Sequence, residues 1–175
     1  RNLRIEVPER VNSKGEILLP LDVDHTHQAV QTLMDQKVDA IAVCFLFDFL
    51  NPTHELKVER IAKSLNCQAS IWLAHKILPE FREFERLSTT VSNAALGPVT
   101  KTYLTNLTAR ISELGCNRPP YIMQSSGGIM SPSRAIERPA NTLFSGPSGG
   151  VIGGLHVAQL AGIKDIITLD MGGTS

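Results

Sequence analysis

The sequence predicts an α/β layered domain on three observations. Residues 40–46 form an apolar run without polar alternation, residues 70–73 form a second one, and amphipathic helical stretches separate and flank them. Taking the elements in order, Asp24 can cap a helix reaching Gln36, because Val30, Leu33 and Met34 repeat at i, i+3 and i+4. Residues 40–46 then read as a core strand covered on both faces, with Ile41 and Val43 buried. Asn51 before Pro52 opens a second helix, whose buried stripe is Val58, Ile61, Ala62 and Leu65. Residues 70–73 return to a strand.

From Glu80 to Leu114 the pattern is helical over an unusual length. Gly97 and Pro98 interrupt it, and Tyr103, Leu104, Leu107 and Ile111 continue the stripe, so two helices or one kinked helix are expected. Residues 121–123 read as a short strand running into Ser125, Ser126, Gly127 and Gly128, after which Ser131 and Pro132 open a short helix. Residues 142–144 read as a strand leading into the glycine-rich stretch 145–150, then a helix to Ala161. A last strand over residues 166–169 ends at Asp170. The chain begins without methionine on a strand-like stretch, residues 3–7, and stops just after that last strand. A piece of a longer protein is expected.

Composition narrows the function. Lysine plus arginine (17) balance aspartate plus glutamate (17), which removes the basic excess that drives binding to nucleic acid or acidic membranes. Cys44, Cys67 and Cys116 lack the spacing of a zinc site, and His25, His27, His75 and His156 lack an H-x-x-x-H pattern, so no metal site is expected on them. Cys44, on the core strand, reads as a small hydrophobe. No stretch approaches the roughly 20 apolar residues of a membrane span. A reduced, cytoplasmic setting follows as the expectation.

Three glycine loops carry the candidate chemistry. Asp170 opens the first, and Gly172 and Gly173 behind it let the backbone approach a phosphate with free N–H groups. Asp170 offers a carboxylate to Mg²⁺, directly or through water, while Thr174 and Ser175 offer hydroxyls. The bland alternative is an ordinary hairpin. Gly146, Gly149 and Gly150 lie where a helix begins, a natural anion site through unpaired N–H groups and the helix dipole. With Gly153 and Gly154 they could equally make a close-packed hinge. Ser125, Ser126, Gly127 and Gly128 could line a substrate cleft at a strand's carboxyl edge. The charge run Glu80, Arg82, Glu83, Glu85 and Arg86 reads as a solvated helix face, and His54 and Glu55 read as first-turn helix caps.

These motifs, in this order, resemble the hydantoinase A and 5-oxoprolinase family, whose relatives include acetone carboxylase subunits. The carriers are residues 42–44, the Asn-Pro-Thr-His-Glu of 51–55 and the Pro-Glu-Phe-Arg-Glu-Phe-Glu-Arg of 79–86. Thr89, Thr90, Asn93, Ala94 and Pro98 follow, then residues 123–128, 145–150 and 170–175. The chain departs from the family pattern at Ser126, where asparagine is usual, at Ser148, usually alanine, and at Ala95, usually tyrosine.

The resemblance implies an actin-like (ribonuclease H-like) fold, in which ATP and Mg²⁺ lie between paired phosphate loops, one at the start of each of two domains. Residues 1–147 would be the C-terminal part of the first domain, 148–162 a crossover helix, and 163–175 the first strand and second phosphate loop of the next domain. It implies phosphoryl transfer from ATP to the oxygen of a cyclic amide, of hydantoin or 5-oxoproline type, which water then opens, together with a hydantoinase B-type partner subunit or domain. An acetone-carboxylase-type reaction shares every motif present here. A nucleotide-gated interaction subunit without catalysis is the third reading.

Overall fold

The computed structural model describes residues 3–172. Two compact units divide the chain, Arg1–Pro98 and Val99–Ser175.

The first unit is built on a βαβ crossover. Strands β3 (Ala40–Val43) and β4 (Ser70–Leu73) pair in parallel, Ala40 opposite Ser70 and Val43 opposite Leu73, with α2 (Thr53–Ser64) between them in sequence. Ile41 and Val43 are buried with Leu21, Val30, Val58, Ala62 and Leu73, the core expected of an apolar run covered by helices. Helix α1 (Val23–Asp35) contributes Val30. Its cap is Asp22 rather than Asp24, because Asp22 is still extended and accepts a hydrogen bond from the His25 amide at 2.9 Å, whereas Asp24 already lies in the first turn. Before α1, β1 (Arg10–Val11) and β2 (Ile17–Leu19) make a small antiparallel hairpin. The expected strand over residues 3–7 is absent: nothing among the described residues pairs with that segment, and an extended run without a ladder partner is not a strand.

Helix α3 (Ala74–Ile77) follows β4 directly, and α4 (Glu83–Glu113) is one helix of 31 residues that carries Pro98 within it. Gly97 is buried against Trp72. A Cβ built on it would lie 2.1 Å from the indole Cζ2, and the indole N–H is tied to Ser70 Oγ at 2.9 Å. Gly97→Val is therefore expected to destabilise the first unit by about 1–3 kcal/mol through overpacking, despite the poor helix propensity of glycine. Trp72 is the chain's one tryptophan, so a urea titration followed by its fluorescence reads the loss. An unchanged midpoint would show that the ring yields freely.

In the second unit, β5 (Ile122–Met123) and β6 (Ile129–Met130) form an antiparallel hairpin around a turn in which the Gln124 amide donates to the Gly128 carbonyl at 2.7 Å. Gly127 sits there at φ +84°, a left-handed conformation that suits glycine. Ser131 caps α5 (Pro132–Glu137), and Leu104, Met130 and Ala135 form a small core. Residues 142–144, expected as a strand, instead follow and end a 3₁₀ turn (Pro139–Thr142) that runs into α6 (Ser145–Leu160). The strand expected over residues 166–169 is likewise absent. Ile167 and Leu169 are 98% and 87% exposed, and no strand among the described residues pairs with them. Asp170 therefore follows a segment that is in no strand among the described residues. No helix among the described residues is long and apolar enough to cross a membrane.

Candidate functional site

Two of the three glycine loops meet in the second unit. Ser125 accepts a hydrogen bond from the Phe144 amide on its Oγ at 3.0 Å and donates the same hydroxyl to the Asn141 carbonyl at 2.9 Å. Ser148 Oγ donates to the Ser125 carbonyl. The turn over residues 125–128 is thus stitched to the first turn of α6. A Cβ on Gly127 would come within 3.3 Å of Ile152, so this turn packs closely on the helix.

The α6 terminus has no side-chain cap, since its N-cap residue is Phe144. Added Cβ atoms at Gly146, Gly150 and Gly153 would meet open space, and at Gly149 only an ordinary contact with Met123 at 3.9 Å. These glycines leave the backbone near the terminus bare, as an anion site requires. Gly154 differs: a Cβ there would lie 3.2 Å from Thr168, so it serves close packing. The close-packing reading of this helix thus applies to Gly154, while Gly146, Gly150 and Gly153 face open space.

Asp170 and Gly172 are exposed, and Asp170 has no hydrogen-bond or ion-pair partner among the described residues. Gly173, Thr174 and Ser175 lie outside the described residues. No cluster of three or more histidine, cysteine, aspartate or glutamate side chains that could hold a metal is present among the described residues.

The first unit holds a buried polar cluster that sequence reasoning placed on the surface. Arg86, read as part of a solvated face, is 1% exposed. Its Nε lies 2.8 Å from Asp48 Oδ1, close enough for an ion pair although the N–H direction misses the oxygen, while its terminal nitrogens donate to the carbonyls of Glu80 at 2.7 Å and Phe45 at 2.8 Å. Phe49 stacks under the guanidinium at 5.2 Å. Asp48 Oδ2 accepts from the Phe45 amide at 2.8 Å. The readable signal was the spacing of Arg86, Thr90, Asn93, Ala94 and Gly97, which puts small and polar groups on one face of α4, and all five are buried.

His54 and Glu55 do not cap α2 either. His54 Nε2 accepts from the Leu21 amide at 3.3 Å, so Nδ1 carries the proton and donates at 2.7 Å to the carboxylate of partly buried Glu9. Glu55 is fully buried and accepts from the amides of Ala74 and His75, both at 3.1 Å, and it contacts the His75 Nδ1. Burial and the neighbouring Asp48 carboxyl push Glu55 up to about 9. Burial and Lys76 hold His75 below the usual imidazole range.

Burial and Asp48 also push the Cys44 thiol up to about 12, which agrees with an inert cysteine. Iodoacetamide at pH 8 is expected to alkylate exposed Cys116 at least about tenfold faster than Cys44. Equal rates, read by peptide mass mapping, would mean the first unit opens readily.

Family models compared with the chain match it from both ends. The one described as hydantoinase/oxoprolinase covers residues 86–175, and the hydantoinase/oxoprolinase N-terminal region covers residues 1–66. The chain belongs to the hydantoinase/oxoprolinase family. Within that family it is 37% identical to the caprolactamase subunit alpha of Pseudomonas jessenii over 175 residues, all of this chain and 25% of that one. The crystal structure of the ATP-dependent caprolactamase from P. jessenii superposes with a TM-score of 0.83, at 36% identity, over 96% of this chain and 24% of that one. Acetone carboxylase in a nucleotide-free structure superposes at 0.79, with 25% identity, over 89% and 22% of the respective chains. Arabidopsis thaliana 5-oxoprolinase 1 is 30% identical over 162 residues, 91% of this chain and 12% of that protein. The chain spans about a quarter of the length of the first curated relatives it matches.

Proposed function

We propose that the full-length protein uses ATP to phosphorylate the carbonyl oxygen of a cyclic amide, which water then opens. The observation that carries this reading is the pairing of the Ser125 to Gly128 turn with the uncapped, glycine-bare start of α6, a surface suited to phosphate or substrate oxygens. Family membership and the similarity of this whole chain to a quarter of a caprolactamase subunit support it. An amide carbonyl is a poor electrophile because nitrogen donates into it. Phosphorylating the oxygen withdraws that density, so water adds to the carbon, and the ring nitrogen takes a proton and leaves as the amine. A second water attacks the acyl carbon of the resulting acyl phosphate, releasing the carboxylate and inorganic phosphate that carries the original oxygen.

This chemistry requires charge neutralisation and alignment more than covalent catalysis. Gly146, Gly149 and Gly150, with Gly172, Gly173, Thr174 and Ser175, would contact phosphate oxygens, and Ser125, Ser126, Gly127 and Gly128 would line the substrate side. Asp170, exposed and without a partner among the described residues, fits a water-rich Mg²⁺, an ion that commonly takes one or two carboxylates beside nucleotide phosphates. When bound, that ion neutralises charge on the transferred phosphoryl group. The fold we assign is actin-like, with residues 1–147 in the first domain, 148–162 as crossover helix and 163–175 opening the second. A hydantoinase B-type partner in the cytoplasm completes the assignment, and the subunit naming of the caprolactamase relative supports a partner.

The likeness to acetone carboxylase favours a second reading, in which the same activation serves a ketone and bicarbonate. The test is ATP breakdown by the full-length protein with its partner, offered caprolactam, 5-oxoproline, a hydantoin, or acetone with bicarbonate. Stimulation by a cyclic amide is the expected result. Stimulation by acetone with bicarbonate alone would replace the first reading with the second.

A further inference from the structure

Three elements of the first unit converge on one buried pair of carboxyl groups: Asp48 from the loop after β3 and Glu55 from the first turn of α2, with Arg86 reaching in from α4. Two buried carboxylates beside one guanidinium would carry an uncompensated negative charge, which a site away from water does not hold. The hydrogen bonds show where a shared proton belongs. Glu55 Oε2 accepts from the His75 amide and contacts His75 Nδ1, while Oε1 accepts from the Ala74 amide. Asp48 Oδ2 accepts from the Phe45 amide, but Oδ1 is buried with no donor aimed at it, because the Arg86 Nε–H direction misses it. A proton on Glu55 supplies a donor for Oδ1, and ionised Asp48 then pairs with Arg86.

The loop that carries Asp48 is strained. Phe47 sits at φ +58°, a left-handed conformation that bulky residues seldom adopt. Such a conformation persists only where its surroundings hold it. Here the holds are Asp48, tied to Arg86 and the Phe45 amide, and the Phe47 carbonyl, which accepts from the amides of Leu50 and Asn51. Strain in the loop favours opening, and the shared proton opposes it.

We propose that the proton shared by Asp48 and Glu55 is a latch on the loop after β3, closed while the proton is present and released as it leaves to solvent. When the loop opens, water reaches Glu55, which then ionises as an ordinary carboxyl does. Burial and Asp48 hold Glu55 up to about 9 in the closed form against an ordinary 4.5. Its contribution to closure is therefore complete below 4.5 and is lost as pH rises towards 9. The other titratable groups around the pair change charge outside most of that range. Cys44, just after β3, is pushed up from 9.0 to about 12, and His75 on α3, with Lys76 and Glu59 beside it, is held below 6.5. Arg86 keeps its charge throughout. Glu55 thus sets the slope from 6.5 to about 9, where each pH unit multiplies the open population about tenfold.

Amide hydrogen exchange of the full-length protein, followed by mass spectrometry of peptides covering residues 44–52 and 74–78, reads the latch, since the amides of Phe45, Ala74 and His75 bond to its two carboxyls. With labelling times corrected for the base catalysis of exchange, protection of these peptides is expected to fall about tenfold per pH unit between about pH 7 and about pH 8.5, while α1 keeps a flat profile. Glu55→Gln keeps a donor for Asp48 and an acceptor for one amide but cannot ionise, so its slope is expected to vanish. The wild-type profile needs no variant and decides the matter even where Glu55→Gln does not fold. A flat wild-type profile overturns the proposal. So does an equal slope in α1, which means that the unit unfolds as a whole, or a slope that survives in Glu55→Gln.

Discussion

Arg86→Ala is expected to lower the stability of the first unit by about 3–5 kcal/mol, because it leaves Asp48 as a buried charge without its counterion. The same substitution orphans the carbonyl of Phe45 and removes the ring stacked under the guanidinium from its partner. A urea midpoint followed by Trp72 emission measures the loss. The double variant Asp48→Leu with Arg86→Met removes both charges and is expected to recover part of it, though not all, since the Phe45 amide and carbonyl still lose their partners. A single variant as stable as the parent would mean that water reaches the pair.

Asp170→Ala and Gly173→Val in the full-length protein are each expected to abolish ATP-dependent turnover while the protein stays folded. The two changes act through different demands, one for a carboxylate near the metal and one for a residue with no side chain where backbone meets phosphate. Excess Mg²⁺ is expected to restore part of the Asp170→Ala activity and none of the Gly173→Val activity. Near-normal turnover by both at limiting ATP would reduce the loop to a hairpin.

The sequence made the βαβ unit legible because its signals are local. An unalternated run at residues 40–46 and a 3.6-residue stripe in α2 each need only their own neighbours, and Ile41, Val43, Val58 and Ala62 are buried as those patterns require. The polar cluster was hidden because burial of a charge depends on a partner distant in the chain. Arg86 looks like any other member of a charged stretch until the fold delivers Asp48 from the loop after β3, and Glu55 looks like a cap until β4 brings the amides of Ala74 and His75. Residues 142–144 and 166–169 failed for the opposite reason. Their composition suits strands, but a strand exists only where another segment completes its ladder.

The glycine loops fall between these cases. Their positions were readable, and the structure adds that Ser125 and Ser148 tie two of them together. It also sorts the α6 glycines, with Gly154 packed on Thr168 and Gly146 and Gly150 facing open space.

The proposed reaction turns on ATP phosphorylating the carbonyl oxygen of the substrate. Caprolactam labelled with ¹⁸O in its carbonyl group, turned over by the full-length protein with its partner, tests this directly. If water attacks carbon and phosphate departs with the original oxygen, one labelled oxygen is recovered in inorganic phosphate for each ring opened. Retention of the full label in the product carboxylate, with none in phosphate, would contradict the account.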